Sequence, residues 1–196
     1  MFTGIVSHRG VFRGYREGKN VMAVEAPTLA ALLKTGDSLA VNGVCLTLMK
    51  KEKDILFFNL SQETLGKTNL GSLRPGEKLN CELPLTLSSL ISGHLVSGHI
   101  DSTARVLRVV RKGTGKRLAV SFSPDLKPFL ISKGSVAVNG VSLTIASLKP
   151  DSFEVELIPL TIKETNLDGL GPGDVVNLEC DIIGKYVYNW ISKEKR

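Results

Sequence analysis

SLAVNGVCLTL at residues 38–48 returns as SVAVNGVSLTI at residues 135–145, with eight of eleven positions identical at an offset of 97. A second pair of segments, TLGKTNLGSLRPGEKLNCE at 64–82 and TIKETNLDGLGPGDVVNLE at 161–179, repeats at the same offset. Self-similarity at one fixed offset is the mark of a duplicated structural unit. The chain is therefore predicted to contain two tandem copies of one small structural module.

The start of each copy is also recognisable. TGIV at 3–6 matches SGHI at 97–100 at an offset of 94 rather than 97, so the second copy carries three additional residues. The segment RKGTGK at 111–116 is rich in turn-forming residues, and insertions are tolerated best in surface turns. The insertion is therefore placed in this turn.

Short segments rich in Val, Leu, Phe and Thr alternate with turn residues in both copies, a pattern typical of β-strands. Asn42-Gly43 and Asn139-Gly140 are dipeptides that favour tight hairpin turns. About six such strands per copy predict a closed barrel, because closure removes exposed strand edges. The predicted fold is all-β: two tandem, homologous, six-stranded antiparallel Greek-key barrels with short helices and a C-terminal helix.

Helices are predicted in three places. Residues 28–36 and 125–134 should form short helices that end at glycine and plug one end of each barrel. The last segment places its apolar residues on one helical face and is too short to be stable alone, so it is expected to dock on another subunit; these residues are Ile183, Val187, Trp190 and Ile191. The predicted domains are an N-terminal barrel at 1–93, a C-terminal barrel at 94–184 and a C-terminal helix at 185–196.

Composition favours a folded protein of ordinary character. The net charge of +6 is divided evenly, since residues 1–93 carry 11 basic and 8 acidic groups and residues 94–196 carry 14 and 11. An even excess does not favour nucleic-acid binding, which usually gathers Lys and Arg in one patch. No long apolar run or basic leader is present, so no membrane span and a cytoplasmic location are expected. Three widely spaced cysteines predict reduced thiols and no metal site.

Two equal copies would make two equal sites, so aligned positions that differ in chemistry are the most informative. Three such pairs are Cys45 with Ser142, Gly36 with Lys133, and Ile5 with His99. Strand alternation after the Asn-Gly turn places Ser142 and Thr144 on one face, where both hydroxyls could contact one ligand. Cys45 and Thr47 are predicted to do the same in the first copy.

Several motifs together resemble the riboflavin synthase family of duplicated lumazine-binding barrels. They are MFTGIV at the start, NGVCLT, SGHLVSGHID, KGSVAVNGVSLT, LIP before Thr161, and the NxE sequence that closes each copy. The resemblance implies a transferase that converts two molecules of 6,7-dimethyl-8-ribityllumazine into riboflavin and 5-amino-6-ribitylaminouracil. It implies no cofactor, and it implies a homotrimer in which the first barrel of one subunit faces the second barrel of a neighbour. An association with lumazine synthase is a further expectation.

The resemblance also implies roles for individual residues. His99, Ser142 and Thr144 would handle protons, Cys45 would act as a nucleophile or proton donor, Lys133 would stabilise negative charge, and Asp181 would orient a polar neighbour. The predicted substrate-binding residues of the first copy are Gly4, Ile5, Val6, Cys45, Leu46, Thr47, Asn59, Leu60, Ser61, Gln62, Glu63 and Thr64. Those of the second copy are Gly98, His99, Ile100, Lys133, Ser142, Leu143, Thr144, Leu157, Ile158, Pro159, Leu160, Thr161 and Ile162.

Two other functions are compatible with a duplicated barrel. A lumazine- or flavin-binding antenna protein of the same family would bind the ligand without converting it, but the chain retains the polar residues that a catalyst needs. A tandem oligonucleotide-binding barrel would expose aromatic residues on its strands, whereas only 6% of the residues are aromatic. The sequence therefore favours the enzyme.

Overall fold

The computed structural model describes residues 1–194, which form two closed six-stranded barrels. The first barrel consists of β1 (His8–Arg16), β2 (Val21–Glu25), β3 (Ser38–Val41), β4 (Val44–Glu52), β5 (Ile55–Asn59) and β6 (Lys78–Glu82). The second consists of β7 (Ser102–Lys112), β8 (Gly115–Ser121), β9 (Ser135–Val138), β10 (Val141–Leu148), β11 (Ser152–Leu157) and β12 (Val175–Cys180). The prediction of two tandem barrels is confirmed.

The two barrels have the same topology. Around the first ring the order is β1-β2-β5-β4-β3-β6, and starting from β7 the second ring runs β7-β8-β11-β10-β9-β12. All neighbouring strands are antiparallel, and the placement of β5 beside β2 gives the predicted Greek-key connection. The additional residues of the second copy lengthen β7 and β8 around the turn at 113–114, where the insertion was predicted.

Side-chain alternation separates the core of each barrel from its outer face. On β4 and β10 the aliphatic residues point into the two cores: Val44, Leu46 and Leu48 in the first, and Val141, Leu143 and Ile145 in the second. The small polar residues between them, Cys45, Thr47, Ser142 and Thr144, therefore lie on the outer faces of the barrels. Any ligand that they contact binds on the outside of a barrel and not in its interior.

Short helices close the barrels, with bounds that differ from the prediction. Helix α1 spans Pro27–Leu32 and its counterpart Pro124–Phe129 is a 3₁₀-helix, so both end well before the predicted glycine. Pro128 inside the second helix has no N–H to continue an α-helical ladder, which explains the tighter form. Two further helices were not predicted, α2 (Gln62–Lys67) and α3 (Pro159–Glu164), each followed by a 3₁₀ turn, at Asn69–Gly71 and Asn166–Gly169.

The C-terminal helix α4 spans Ile182–Glu194 and begins three residues before the predicted boundary at 185. Its last two predicted residues, 195 and 196, lie outside the described part of the chain. Lys185 ties the helix to the second barrel through an ion pair of 2.7 Å with Asp101. Ile183, Val187 and Ile191 remain about half exposed. No described helix combines the length and apolar character needed to cross a membrane.

Each barrel is covered by a segment that precedes the first strand of the other. We call residues 2–6 and 96–100 the exchanged segments. Phe2 and Val96 pair with each other through two backbone hydrogen bonds of 2.7 and 3.0 Å. Val6 then packs against the core of the second barrel, and Ile100 packs against the core of the first. The two halves of the chain therefore form a single interlocked unit.

The two Asn-Gly turns meet where the barrels touch. A Cβ atom on Gly43 would lie 2.7 Å from the backbone nitrogen of Gly140, and one on Gly140 would lie 2.6 Å from that of Gly43. Side-chain amides surround this contact and bond across it; they are Asn42, Asn69, Asn80, Asn139, Asn166 and Asn177. The asparagines of TNL, at 68–70 and 165–167, and of NxE, at 80–82 and 177–179, thus join the barrels. Buried amides need hydrogen-bond partners, and these amides find theirs in the other half of the chain.

Candidate functional site

Ser142 and Thr144 open onto a cavity of about 400 Å³ on the outer face of β10. Because the core residues of β10 point inward, the polar pair and the backbone of the strand form the floor of this cavity. We call it the second pocket, since it lies on the second barrel. The other residues lining it are Arg117, Lys133, Leu143, Ala146, Glu156, Ile158 and Thr161. The structure thus brings the predicted residues Ser142, Thr144 and Lys133 together at one cavity.

Ser142 makes a direct hydrogen bond to a histidine that was not among the predicted site residues. The Nδ1 atom of His94 lies 2.7 Å from the Oγ atom of Ser142. Burial lowers the pKa of His94 below its ordinary value, and the negative charge of Asp181 acts in the opposite direction. A neutral imidazole beside a hydroxyl can accept its proton, so the pair is chemically suited to proton transfer.

The backbone around Ser142 leaves no space for larger neighbours. Its N–H donates to the carbonyl of Gly4, 2.8 Å away, in the exchanged segment of the first copy. A Cβ atom on Gly4 would lie 2.6 Å from the Cβ atom of Ser142, and one on Gly93 would lie 3.0 Å from Oγ. Glycine at these two positions allows the backbone to approach Ser142 closely.

Lys133 stands at the edge of the second pocket in an unusual backbone conformation. Its φ of 68° lies in the left-handed region, which disfavours residues other than glycine. The N–H of Lys133 donates to the carbonyl of Ile145, 2.9 Å away, which fixes the residue beside β10. Within residues 1–194 its ammonium group forms no ion pair within 4 Å, so its charge is available to a ligand.

Arg117 and Glu156 also line the second pocket and were missed by the sequence reasoning. They pair with each other, and Arg117 also contacts Glu154 at 3.2 Å. Hydrogen bonds from Lys112 and then from Arg117 lower the pKa of Glu156 to about 2. Their aligned positions in the first copy, at the offset of 97, hold asparagine in both cases, so the comparison of copies could have found them.

His99 is the clearest correction. It was grouped with Ser142 and Lys133 because it belongs to the second copy, but its exchanged segment lies on the first barrel. The carbonyl of its neighbour Gly98 accepts a hydrogen bond of 2.8 Å from the backbone N–H of Cys45. His99 is exposed beside the site of Cys45 and Thr47, and the histidine that contacts Ser142 is His94.

The sequence contains a signal that could have identified His94 as a site residue. The tripeptide SGH occurs at 92–94 and again at 97–99, and only the second occurrence aligns with the start of the first copy. A comparison of aligned positions therefore considers His99 and passes over His94. In the structure His94 is buried and contacts Ser142, whereas His99 is exposed.

The remaining predicted residues fall into three groups. Four predicted residues point into the barrel cores, so a ligand on an outer face can meet only their backbone, and this part of the prediction is corrected: Leu46, Leu60, Leu143 and Leu157. Asn59, Ser61, Gln62, Glu63 and Thr64 form the end of β5 and the start of α2, where the Ser61 hydroxyl caps the helix by accepting from the N–H of Thr64. Ile5, Ile158, Pro159 and Leu160 are exposed, and Thr161 and Ile162 are half-buried in α3.

A larger cleft of about 800 Å³ lies between the barrels, over the amide network. Of the predicted site residues only Ile162 borders it. Its floor includes Asn42 and Asn139, whose side-chain oxygens already accept hydrogen bonds that join the two halves. Within residues 1–194 no group of three or more His, Cys, Asp or Glu side chains is arranged to hold a metal ion.

The fold and the cavity place the chain in the class of duplicated six-stranded β-barrels that have a candidate ligand site on an outer face. The family model described as the lumazine binding domain matches residues 3–84 and 97–181, and the chain belongs to this family. The riboflavin synthase of Bacillus amyloliquefaciens is 37% identical over 198 residues, covering 100% of this chain and 92% of the relative. The riboflavin synthase of Schizosaccharomyces pombe is 33% identical, covering 98% of this chain and 99% of the relative.

Two solved structures have a fold similar to that of this chain. LumP complexed with 6,7-dimethyl-8-(1'-D-ribityl) lumazine superimposes with a TM-score of 0.82 at 25% sequence identity, covering 91% of this chain and 98% of that one. LumP complexed with riboflavin gives a TM-score of 0.85 at 24% identity, which shows the shared fold. The chain is thus similar in sequence to proteins named riboflavin synthases, and in fold to a protein solved with bound lumazine and with bound riboflavin.

Proposed function

We propose that this chain is a riboflavin synthase, which converts two molecules of 6,7-dimethyl-8-ribityllumazine into riboflavin and 5-amino-6-ribitylaminouracil. The observation that carries the proposal is a cavity lined by Ser142, Thr144 and Lys133, in a chain similar to riboflavin synthases over its whole length. Cys45 and Thr47 hold the equivalent outer-face positions on the first barrel. A reaction between two copies of one substrate needs two sites that recognise the same ring. It also needs them to treat the two rings differently.

The chemistry is a transfer of four carbons from one lumazine to the other. The donor becomes the uracil product and the acceptor becomes riboflavin, so all atoms of the two substrates are found in the two products. The protein has to hold the rings in contact and move protons, which makes orientation a major part of catalysis. The proposed reaction needs no group beyond the two substrates.

In the second pocket, the C7 methyl group of a bound lumazine would lose a proton. Ser142 can relay that proton to His94, because the two side chains are hydrogen-bonded and burial favours the neutral imidazole. The negative charge of Asp181 then stabilises the imidazolium that results. Lys133 would stabilise the negative charge that develops on the ring, and Thr144 would orient the ring from the same strand.

Cys45 and Thr47 occupy the equivalent strand positions on the first barrel, and we call the outer face around them the first pocket. Cys45 is the only one of the three cysteines that is not fully buried, so its thiol can reach a ligand. We assign it the role of nucleophile or proton donor toward the second ring, with His99 of the exchanged segment beside it. The remaining outer-face residues of the predicted binding set would hold the rings and ribityl chains.

The two pockets lie on outer faces, so rings bound there can meet between subunits. The half-exposed apolar residues of α4 and the exposed Leu87, Leu90 and Ile91 offer surface that a neighbouring subunit would cover. These features support the predicted homotrimer, which sedimentation equilibrium of the full chain would test. The cytoplasmic location, the association with lumazine synthase and the domain boundary between residues 93 and 94 stay predictions.

The direct test is incubation of the purified chain with 6,7-dimethyl-8-ribityllumazine while riboflavin absorbance and fluorescence are followed. We expect one riboflavin for every two lumazines consumed, with a Ser142→Ala variant as the control for a bound but slow enzyme. Tight binding with no product would assign the chain to ligand carriers, the class for which the LumP complexes provide a precedent. Absence of both binding and product would exclude either function.

A further inference from the structure

Two buried glutamates close the last strands of the two copies. Glu82 ends β6 and Glu179 lies near the end of β12, at the offset of 97, and they are 7% and 1% exposed. Neither side chain forms an ion pair within 4 Å in the described residues. A buried carboxylate without a cation is costly unless several hydrogen bonds compensate it. Each of these two therefore needs a set of donors.

Both carboxylates bind the exchanged segments in the same way. Glu82 Oε1 accepts from the N–H and the hydroxyl of Thr3, both at 2.7 Å, and Oε2 accepts from the N–H of Gly4 at 3.0 Å. Glu179 Oε1 accepts from the N–H and the hydroxyl of Ser97, both at 2.6 Å. Its Oε2 accepts from the N–H of Gly98 at 3.0 Å. Three donors to each carboxylate fix two consecutive residues of a segment.

The next contact of each segment is in the opposite barrel. Gly4, held by Glu82, accepts a backbone hydrogen bond from Ser142 and packs against its Cβ atom. Gly98, held by Glu179, accepts a backbone hydrogen bond from Cys45 and packs against that residue in the same way. A glutamate of the first barrel thus holds the segment that packs on Ser142 in the second barrel, and a glutamate of the second barrel holds the segment that packs on Cys45 in the first.

We propose that Glu82 and Glu179 are positioning residues that act across the interface between the barrels, Glu82 on the second pocket and Glu179 on the first. This inference deepens the proposed function, since the two sites it connects are the proposed substrate pockets. Substitution by glutamine replaces one accepting oxygen with an NH₂ group that faces a backbone donor. The affected segment then loosens where it packs on Ser142 or on Cys45.

The test uses a thiol reporter in each pocket and does not depend on turnover. Cys45 is the natural reporter of the first pocket, because Cys81 and Cys180 are buried and react slowly. Ser142→Cys in a Cys45→Ala background reports on the second pocket. Each reporter is combined with Glu82→Gln and with Glu179→Gln, and the rate of labelling by a small aromatic disulfide is measured on folded protein.

We expect a reciprocal result. Glu179→Gln should accelerate labelling of Cys45 by about tenfold, as expected for loss of a hydrogen bond to a charged group, and should leave position 142 unchanged. Glu82→Gln should accelerate labelling at position 142 by a similar factor and leave Cys45 unchanged. Equal acceleration at both reporters, or acceleration only within the same barrel, would overturn the proposal.

Two milder variants keep the test decisive if a glutamine variant does not fold. Thr3→Val and Ser97→Ala each remove one hydroxyl donor to a carboxylate and leave the backbone donors in place. They should produce the same crossed pattern with a smaller factor, and Thr3→Ser should restore the wild-type rate. A chain that shows the crossed pattern but forms no riboflavin would retain the positioning role and lose the proposed activity.

Discussion

The outer faces of β4 and β10 follow equivalent Asn-Gly turns and are each contacted by an exchanged segment, yet they present different side chains to a ligand. The second pocket has a hydroxyl bonded to a buried histidine, a lysine at its edge and an Arg–Glu pair in its wall. At the positions that align with Lys133 and Arg117, the first copy has glycine and asparagine. Duplication preserved the parts that build the pockets, and the side chains that determine reactivity diverged.

The largest effect is expected from breaking the Ser142–His94 pair. Ser142→Ala and His94→Gln should each lower kcat by a factor on the order of 10² to 10⁴, because they remove proton transfer, and should change lumazine affinity little. Initial rates of riboflavin formation and equilibrium binding measure the two effects. Cys45→Ser is the matched change in the first pocket. An equal loss from all three variants would mean that the pockets are not specialised.

At the two Asn-Gly turns, where the copies are still symmetric, we expect substitutions to reduce the free energy of unfolding by similar amounts. Gly43→Ala and Gly140→Ala place a methyl group within 3 Å of the opposite turn and strain a positive φ, so each should lower the free energy of unfolding by about 2 to 4 kcal/mol. Urea denaturation measures this. Gly76→Ala and Gly173→Ala have positive φ with open space around them, and should cost only the strain of about 1 kcal/mol.

The pH dependence separates the pockets by their histidines. Because burial lowers the pKa of His94, this residue stays neutral in the folded state when an ordinary histidine begins to protonate. We expect kcat/KM to remain flat down to pH values below 6.5 and then to fall. This fall, the acidic limb of the pH profile, should be absent in His94→Gln. The unfolded state binds the proton first, so the contribution to stability is absent above about pH 6.5 and becomes unfavourable as the pH falls below it.

Titration of the ring carbon protons by NMR identifies which histidine produces the limb. His99→Ala should leave the position of the limb unchanged, since His99 is exposed at the other pocket. A shift of the limb in that variant, with none in His94→Gln, would assign the proton transfer to the first pocket.

The smallest effect is expected at Lys133, where function and stability oppose each other. Lys133→Gly introduces the residue of the first copy, relieves the positive φ and should raise the free energy of unfolding by about 1 kcal/mol or less, since glycine also gains entropy in the unfolded chain. Turnover should fall because the cation is lost. Lys133→Ala keeps the strain and loses the cation, so it should be as slow without being more stable.

Much of the fold was predictable because strand periodicity and turn chemistry are local. The Asn-Gly turns, the alternation around Ser142 and Cys45, and the duplicated barrels all follow from spacing along the chain. The helices were predicted less well. The segment around Glu63 forms α2, for which no helix was predicted. The 125–134 segment stops early because Pro128 limits it to a 3₁₀-helix. Such short helices depend on caps and docking more than on periodicity.

The candidate site was predicted in part for the same reason. Ser142, Thr144 and Lys133 are close in sequence to one strand, so their grouping needs only local geometry. His99 was assigned to the wrong pocket because membership of a copy does not say which barrel a segment covers. His94 was missed because it lies between the aligned copies, and the motif residues of TNL and NxE turned out to join the barrels and hold the exchanged segments.

The sequence by itself determined the duplication, the barrel architecture and the family, since each is written in residue types at fixed spacing. Only the tertiary structure decided which half completes which pocket. That choice depends on long-range contacts, the carboxylates of Glu82 and Glu179 to segments about 80 residues away along the chain and the packing of Gly4 and Gly98 on the opposite barrels. Such contacts leave no local period, because their partners are brought together only when both barrels have formed.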